Sequence, residues 1–278
     1  MRIIKTVAQA KKHIAPVKKT GQVISFVPTM GYLHEGHLSL VRIARKRADF
    51  VVVSIFVNPT QFAPGEDLKK YPRDMKRDKA LLKKEGVDLI FYPRVRDMYP
   101  PPYKTYVCVK DLSRIMCGIT RPDHFQGVTT VVLKLFNIIE PDIAVFGAKD
   151  YQQALIIKQM VRDLDLNIRI ITGRIIREKD GLAMSSRNKY LSSEQRRSAT
   201  VLYQALNRVK QDYKKGFVDP GRAKKVIERM IEKKTGRVDY IAVVDKNALQ
   251  PVKNISKGTL IALAAYFGRT RLIDNILI

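Results

Sequence analysis

Phe50-Val51-Val52-Val53-Ser54-Ile55-Phe56-Val57 is an eight-residue run whose one polar member is Ser54. Polar and apolar side chains do not alternate in it, so a strand built from it has both faces buried. Toward the N-terminus, His37–Ala48 places apolar residues at helical spacing, and Val23–Val27 is a second apolar strand. Toward the C-terminus, Met75–Lys84 is an amphipathic helix and Leu89–Tyr92 a strand. Helical patterns at Thr129–Ile139 and Gln152–Asp163 flank a strand at Ile143–Phe146, with another strand near Ile168–Ile171. Apolar strands alternating with helices predict an α/β chain around a parallel sheet covered on both faces, doubly wound.

The pattern changes near Gly173–Ile176. Beyond it come two lysine-rich helical stretches, Ser192–Tyr213 and Gly221–Lys234, then strands at Tyr240–Val244 and Leu260–Phe267. Two domains are therefore expected, residues 1–175 and 176–278. Arg94–Tyr106, with Pro100-Pro101-Pro102, reads as a loop, and Leu112–Gln126 as a second.

Hydrophobic residues make up 45% of the 278, ample for a sizeable core, which argues against disorder. No apolar stretch approaches the roughly 18 residues of a membrane span. Met1-Arg2-Ile3-Ile4-Lys5 leads into mixed polar sequence without the apolar centre of a signal peptide, so cytoplasmic residence and no membrane partner are expected. Cys108 and Cys117 are too few for a disulfide framework. Lys and Arg total 52 against 26 Asp and Glu, a net charge of +26. Such a balance invites a nucleic-acid reading. The basic residues come as scattered pairs such as Lys11-Lys12 and Lys224-Lys225, which fits a solvated surface better than a groove for one specific nucleic acid.

In an open parallel sheet, ligands bind beyond the carboxyl ends of the strands. The unusual polar residues fall there. Met30-Gly31-Tyr32-Leu33-His34-Glu35-Gly36-His37 follows the first strand, Asn58-Pro59-Thr60-Gln61 the second, and Gly147-Ala148-Lys149-Asp150-Tyr151-Gln152-Gln153 the strand ending at Phe146. His34 and His37, beside glycines at a helix start, suit phosphate; no acidic or Cys ligands stand near them at zinc-like spacing. Lys149 is either a surface lysine or a charge aimed at phosphate or carboxylate. Asp150 is either a helix cap or an acceptor for ribose hydroxyls. Gln61 and Gln153, which both donate and accept, suit a substrate with hydroxyls or are ordinary surface amides. Met184-Ser185-Ser186-Arg187-Asn188 offers hydroxyls and a planar guanidinium on a loop, a second set of phosphate donors. Polyphosphate needs Mg²⁺, for which Asp78 and Asp74 are the candidate carboxylates.

His34-Glu35-Gly36-His37 resembles the histidine signature of class I aminoacyl-tRNA synthetases and small nucleotidyltransferases, and Met184-Ser185-Ser186-Arg187 their mobile phosphate loop. The longer runs Phe26–His37, Phe56–Phe62, Phe146–Gln153 and Asp180–Asn188, with the ending Thr270–Asn275, are similar nearly end to end to the pantoate–β-alanine ligase family. The resemblance implies a Rossmann-like domain with a smaller α+β C-terminal lid, assembled as a homodimer. It implies ATP-dependent condensation of pantoate with β-alanine through a pantoyl adenylate, releasing AMP and pyrophosphate. It also implies roles: His34, His37, Lys149 and Arg187 in catalysis; Met30, Gly147, Asp150, the Ile176 backbone, Ser185 and Ser186 around ATP; Met30, Gln61 and Gln153 on pantoate; Asp78 on Mg²⁺. One departure is Asp123, in Arg121-Pro122-Asp123-His124-Phe125, where the family has a glycine. The alternative from a different class is a basic RNA-binding protein on a catalytically silent scaffold of this kind.

Overall fold

The computed structural model describes residues 1–278. In chain order the elements are β1 (Arg2–Ile4), α1 (Val7–Lys19), β2 (Ile24–Thr29), α2 (Glu35–Arg45), β3 (Phe50–Ile55), α3 (Met75–Lys84), β4 (Leu89–Phe91), α4 (Val95–Met98) and α5 (Cys117–Thr120). Then follow α6 (His124–Ile139), β5 (Ile143–Gly147), α7 (Tyr151–Asp163), β6 (Arg169–Gly173), α8 (Ser193–Ser198), α9 (Val201–Lys214), α10 (Pro220–Glu232), β7 (Arg237–Asp245), β8 (Thr259–Phe267) and β9 (Thr270–Leu277).

The chain forms two compact units. The first comprises Met1–Ser113, Arg121–Ala148 and Gln152–Arg174; the second comprises Arg114–Thr120, Lys149–Tyr151 and Ile175–Ile278. In the first, six strands lie in the order β1-β4-β3-β2-β5-β6, and every pairing is parallel. Alternate residues of one strand serve opposite cores. Phe26, Val52, Phe91 and Phe146 pack with α1, α6 and α7 on one face, whereas Val27, Val51, Val53, Ile90 and Val145 pack with α2 and α3 on the other. This is the doubly wound arrangement. Val51, Val52 and Val53 are all fully buried, the reason β3 reads as an unbroken apolar run.

Strand order reverses between β2 and β5, and there the sheet parts. Their pairing ends at Phe26 and Ala144, although β2 runs on to Thr29 and β5 to Gly147. The Asp142 N–H donates to the Ile24 carbonyl, so the even-numbered residues of β2 turn their polar groups toward β5. Pro28, which has no N–H, falls on that side, where pairing has already stopped. The crevice at a reversal of strand order is where ligands of such sheets bind.

The second unit is α+β. Its strands form an antiparallel sheet, β7-β8-β9, packed against α9 and α10 through Leu202, Leu206, Ile227, Ile231, Leu263 and Phe267. Asp219 caps α10 ahead of Pro220, a favoured first helical residue.

Several elements differ from the sequence expectation. β1 and α1 are additional; Pro16 lies inside α1 and masks its pattern. The stretch Ser192–Tyr213 is two helices, α8 and α9, and at the break the Thr200 hydroxyl donates back to the Arg197 carbonyl at 2.8 Å, competing with the helical ladder. α6 starts at His124, five residues before Thr129. β9 is a further strand that Arg271, Asp274 and Asn275 disguise as polar sequence. Asp123 has φ −92°, so the glycine usual at this place is not needed for a left-handed backbone.

Candidate active site

In the first unit the segment after β2 turns sharply. Gly31 has φ +83°, and a Cβ there would lie 2.9 Å from Ile55 Cγ2 and 3.1 Å from Asp78 Oδ2, so glycine is required by both backbone and space. Tyr32 follows at φ +52°, an unfavourable region for a bulky residue. Asp78 compensates. Its Oδ2 accepts from Tyr32 N–H at 2.7 Å and its Oδ1 from Leu33 N–H at 2.8 Å. Asp78, expected beside Mg²⁺, is placed here in a positioning task. The residue is 1% exposed with both oxygens on backbone donors, and no group of three His, Cys, Asp or Glu side chains in the chain is arranged to hold a metal ion. Neither Asp78 nor Asp74 offers a carboxylate free of backbone partners for Mg²⁺. Burial pushes the Asp78 carboxyl up against the opposing pull of the Leu33 and Tyr32 N–H groups. Asp74, the other Mg²⁺ candidate, caps α3 by accepting from Arg77 N–H at 3.0 Å.

The turn delivers His34 to the N-cap of α2. His34 Nδ1 accepts from Gly36 N–H at 3.1 Å, and His37 Nδ1 accepts from His34 N–H at 3.3 Å. This is a capping box in which imidazoles replace the usual hydroxyl and carboxylate. An Nδ1 that accepts leaves the proton of a neutral ring on Nε2. Both imidazoles are thereby set as Nε2–H donors, with ring centroids 4.1 Å apart at the positive end of α2.

Met30 and Gln61 are brought together, with Gln61 Nε2 3.3 Å from Met30 Sδ. A network that sequence reasoning did not foresee fixes Gln61. Asn58, 1% exposed, donates through Nδ2 to the Gly127 carbonyl at 3.0 Å and to Gln61 Oε1 at 3.2 Å, while its Oδ1 accepts from Tyr99 OH at 2.7 Å. The Gln61 carbonyl accepts from His124 Nδ1–H at 2.9 Å and from Arg121 at 3.2 Å, and Arg121 also pairs with Glu66 at 2.6 Å. A Cβ on Gly127 would collide with the Thr60 carbonyl and lie 2.7 Å from Gln61 N, so α6 can approach this turn only through glycine. Asn58 was visible beside Gln61 in the sequence; Tyr99 and Gly127 carried no local signal. Gly147 ends β5 in the first unit, and Gln153, half-buried, stands on the first turn of α7.

In the second unit Ile176–Met184 doubles back on itself. Arg177 bridges Ala183, and Met184 N–H donates to the Ile176 carbonyl at 3.0 Å. This turn delivers Ser185, whose Oγ accepts from Arg187 N–H at 3.2 Å, then Ser186 and Arg187 in a 3₁₀ turn. Asn188 donates to Glu178 at 2.9 Å and to the Ala183 carbonyl at 3.1 Å, tying the loop to the segment before it. Lys149 and Asp150 also belong to this unit, in a 3₁₀ turn ahead of α7, where the Lys149 carbonyl accepts from Asn275 Nδ2 at 2.9 Å.

The family model described as pantoate-beta-alanine ligase matches residues 2–277. The chain belongs to that family. A pantothenate synthetase of Caldicellulosiruptor bescii is 54% identical over all of this chain and 99% of its own length, and that of Thermotoga petrophila is 52% identical over 99% of both. Among solved structures, pantothenate synthetase from Thermus thermophilus superposes with a TM-score of 0.95 at 45% identity, covering 100% of this chain and 99% of that one. The pantoate-β-alanine ligase of Francisella tularensis, described as complexed with β-γ ATP and β-alanine, gives 0.86 at 37% identity, covering 100% and 97%. Membership of this ligase family accounts for the polar segments at the strand ends, and the RNA-binding alternative gains no support. No helix is long and apolar enough to cross a membrane.

Proposed function

We propose that the chain condenses pantoate with β-alanine at the expense of ATP, through a pantoyl adenylate. The observation that carries this reading is the His34–His37 pair, two imidazoles locked as Nε2–H donors at a helix N-terminus within a full-length member of this ligase family.

A carboxylate is a poor electrophile, so pantoate is activated first. Its carboxylate oxygen attacks the α-phosphorus of ATP, and the bond to pyrophosphate breaks. The amine of β-alanine, as the free base, then attacks the acyl carbon; an amide forms, AMP leaves and the amine proton passes to solvent. Neither step needs a protein nucleophile. Both gain from holding anions together and from donors aimed at oxygens that gain charge. His34, His37, Lys149 and Arg187 are assigned that work. Ser185, Ser186, Gly147, Asp150, Met30 and the Ile176 backbone are assigned to the rest of ATP, and Gln61, Gln153 and Met30 to pantoate. Asp78 acts by fixing the Gly31–Leu33 turn. Mg²⁺ is assigned to the nucleotide substrate as its counterion. A binding domain over residues 1–175, a lid over 176–278, a homodimer and cytoplasmic residence complete the proposal on the strength of the family resemblance.

The test is ATP–pyrophosphate exchange with pantoate present and β-alanine omitted. Pantoate-dependent exchange is expected. Folded protein that exchanges label only when β-alanine is added would exclude a free adenylate intermediate.

A further inference from the structure

Successive side chains of a strand point to opposite sides, yet β9 carries two successive polar residues that are both buried, Asp274 at 2% and Asn275 at 5% exposure. Buried polar groups are costly unless partnered, so their partners show the task. Asn275 Nδ2 donates to the Lys149 carbonyl at 2.9 Å. Asp274 accepts from both terminal nitrogens of Arg177, at 2.6 and 2.9 Å, and its Oδ1 also accepts from Asn275 N–H at 2.8 Å. Arg177 donates onward to the Gly181 carbonyl at 3.1 Å and lies 3.9 Å above the Tyr203 ring. These contacts grip the turn that opens at Arg177 and closes at Ala183, two residues before Ser185.

We propose that Asp274 and Asn275 are a positioning pair for adenylation: Asn275 sets the Lys149 peptide, and Asp274, through Arg177, sets the turn that carries Ser185, Ser186 and Arg187. Two sets of phosphate donors, remote in sequence, then share one foundation in β9. The idea rests on the assignment of Lys149 and Arg187 to the phosphates. The chemistry of the pair is specific. Position 275 must donate, because its partner is a carbonyl. Position 274 must be a carboxylate, because it accepts a two-pronged guanidinium and neutralises it. Neither residue is assigned to substrate.

The experiment measures pantoate-dependent ATP–pyrophosphate exchange and thermal midpoints for the full chain carrying Asn275→Asp, Asn275→Ala, Asp274→Asn or Lys149→Ala. Asn275→Asp keeps the shape and removes the donor. It is expected to lower maximal exchange about 10- to 100-fold, the cost of misplacing a reacting geometry by about an ångström, with the pantoate KM within about twofold of the parent. Asp274→Asn is expected to lower exchange and raise the ATP KM. Where either charge-altering variant does not fold, Asn275→Ala decides. Exchange per folded molecule within about twofold of the parent in Asn275→Asp and Asn275→Ala, with Lys149→Ala inactive, would overturn the proposal and leave the pair as a structural staple of an edge strand. Parental exchange in Lys149→Ala would remove the phosphate assignment itself, and the pair's role with it.

Discussion

In the first unit, each imidazole of the His34–His37 pair is oriented by a backbone N–H no more than three residues away. In the second, the Lys149 peptide is held by a side chain 126 positions along the chain. Each set of donors is assigned to phosphate, but one is built by a helix cap and the other by a strand that must first find its place in a sheet. A local cap forms with its helix and needs little else; a long-range anchor exists only once the whole unit has folded. Perturbations far from the chemistry should therefore disturb Lys149 and Arg187 while leaving the histidines in place.

The largest effect that would test this contrast comes from the donors themselves. His34→Ala and Lys149→Ala should each reduce adenylation by about 10²- to 10³-fold, the usual loss for a donor to developing charge, with thermal midpoints little changed. Near-normal turnover in either would sink its assignment. His34→Ala removes a cap as well, so its cost in stability, about 1 kcal/mol, should exceed that of Lys149→Ala by circular dichroism melting.

Next comes Gly127→Ala. The added methyl meets backbone rather than a flexible side chain, so the Thr60–Gln61 turn has to move. Overpacking of this kind costs about 1–3 kcal/mol. Because the shift displaces Gln61, the pantoate KM should rise several-fold with the ATP KM nearly unchanged. Equal changes in both would show that the two substrates do not divide between these residues as assigned.

A smaller effect concerns pH. Burial by itself raises the Glu66 carboxyl, but the Arg121 hydrogen bonds and charge outweigh it, and its pKa lies below the ordinary 4.5. The unfolded chain then binds the proton more readily than the folded one, so this carboxylate contributes stability above the unfolded pKa and loses it as pH falls through the folded one. Glu66→Gln should cost roughly 1 kcal/mol near neutrality, and urea titrations should show the gap to the parent shrinking below about pH 4. A gap that stays constant on acidification would mean that Glu66 works through shape rather than charge. The smallest effect belongs to Asp123→Gly. At φ −92° glycine relieves no strain, so restoring the family residue should alter turnover less than twofold and destabilise by at most about 1 kcal/mol. A gain in activity would point to a backbone change at this loop.

The sequence was most legible where the deciding interaction is local. Val51-Val52-Val53 declared a doubly covered strand, and Met75–Lys84 gave a helix with its boundaries, because burial on a sheet or helix face imprints a short period on the chain. His34 and His37 were legible as a pair at a helix start for the same reason, a spacing of three beside glycine, while their mutual capping was not. Asp78 was misread. Its carboxylate looked available for Mg²⁺ because nothing in Asp74–Asp78 indicates that Tyr32 and Leu33 fold over it. β9 was hidden by its own polar residues, whose partners Arg177 and Lys149 lie about one hundred residues upstream or more.

The sequence by itself determined the α/β class, the placing of polar segments at strand ends and the family, since periodicity and motif spacing are properties of neighbouring residues. Tertiary structure alone decided that Asp78 braces a turn, that Tyr99 holds the Asn58 amide beside Gln61, and that β9 carries the footing of Lys149. Those are hydrogen bonds between residues 40 or more positions apart. A donor buried by folding must find whatever acceptor the fold brings beside it, and no local pattern in the chain encodes which one that is.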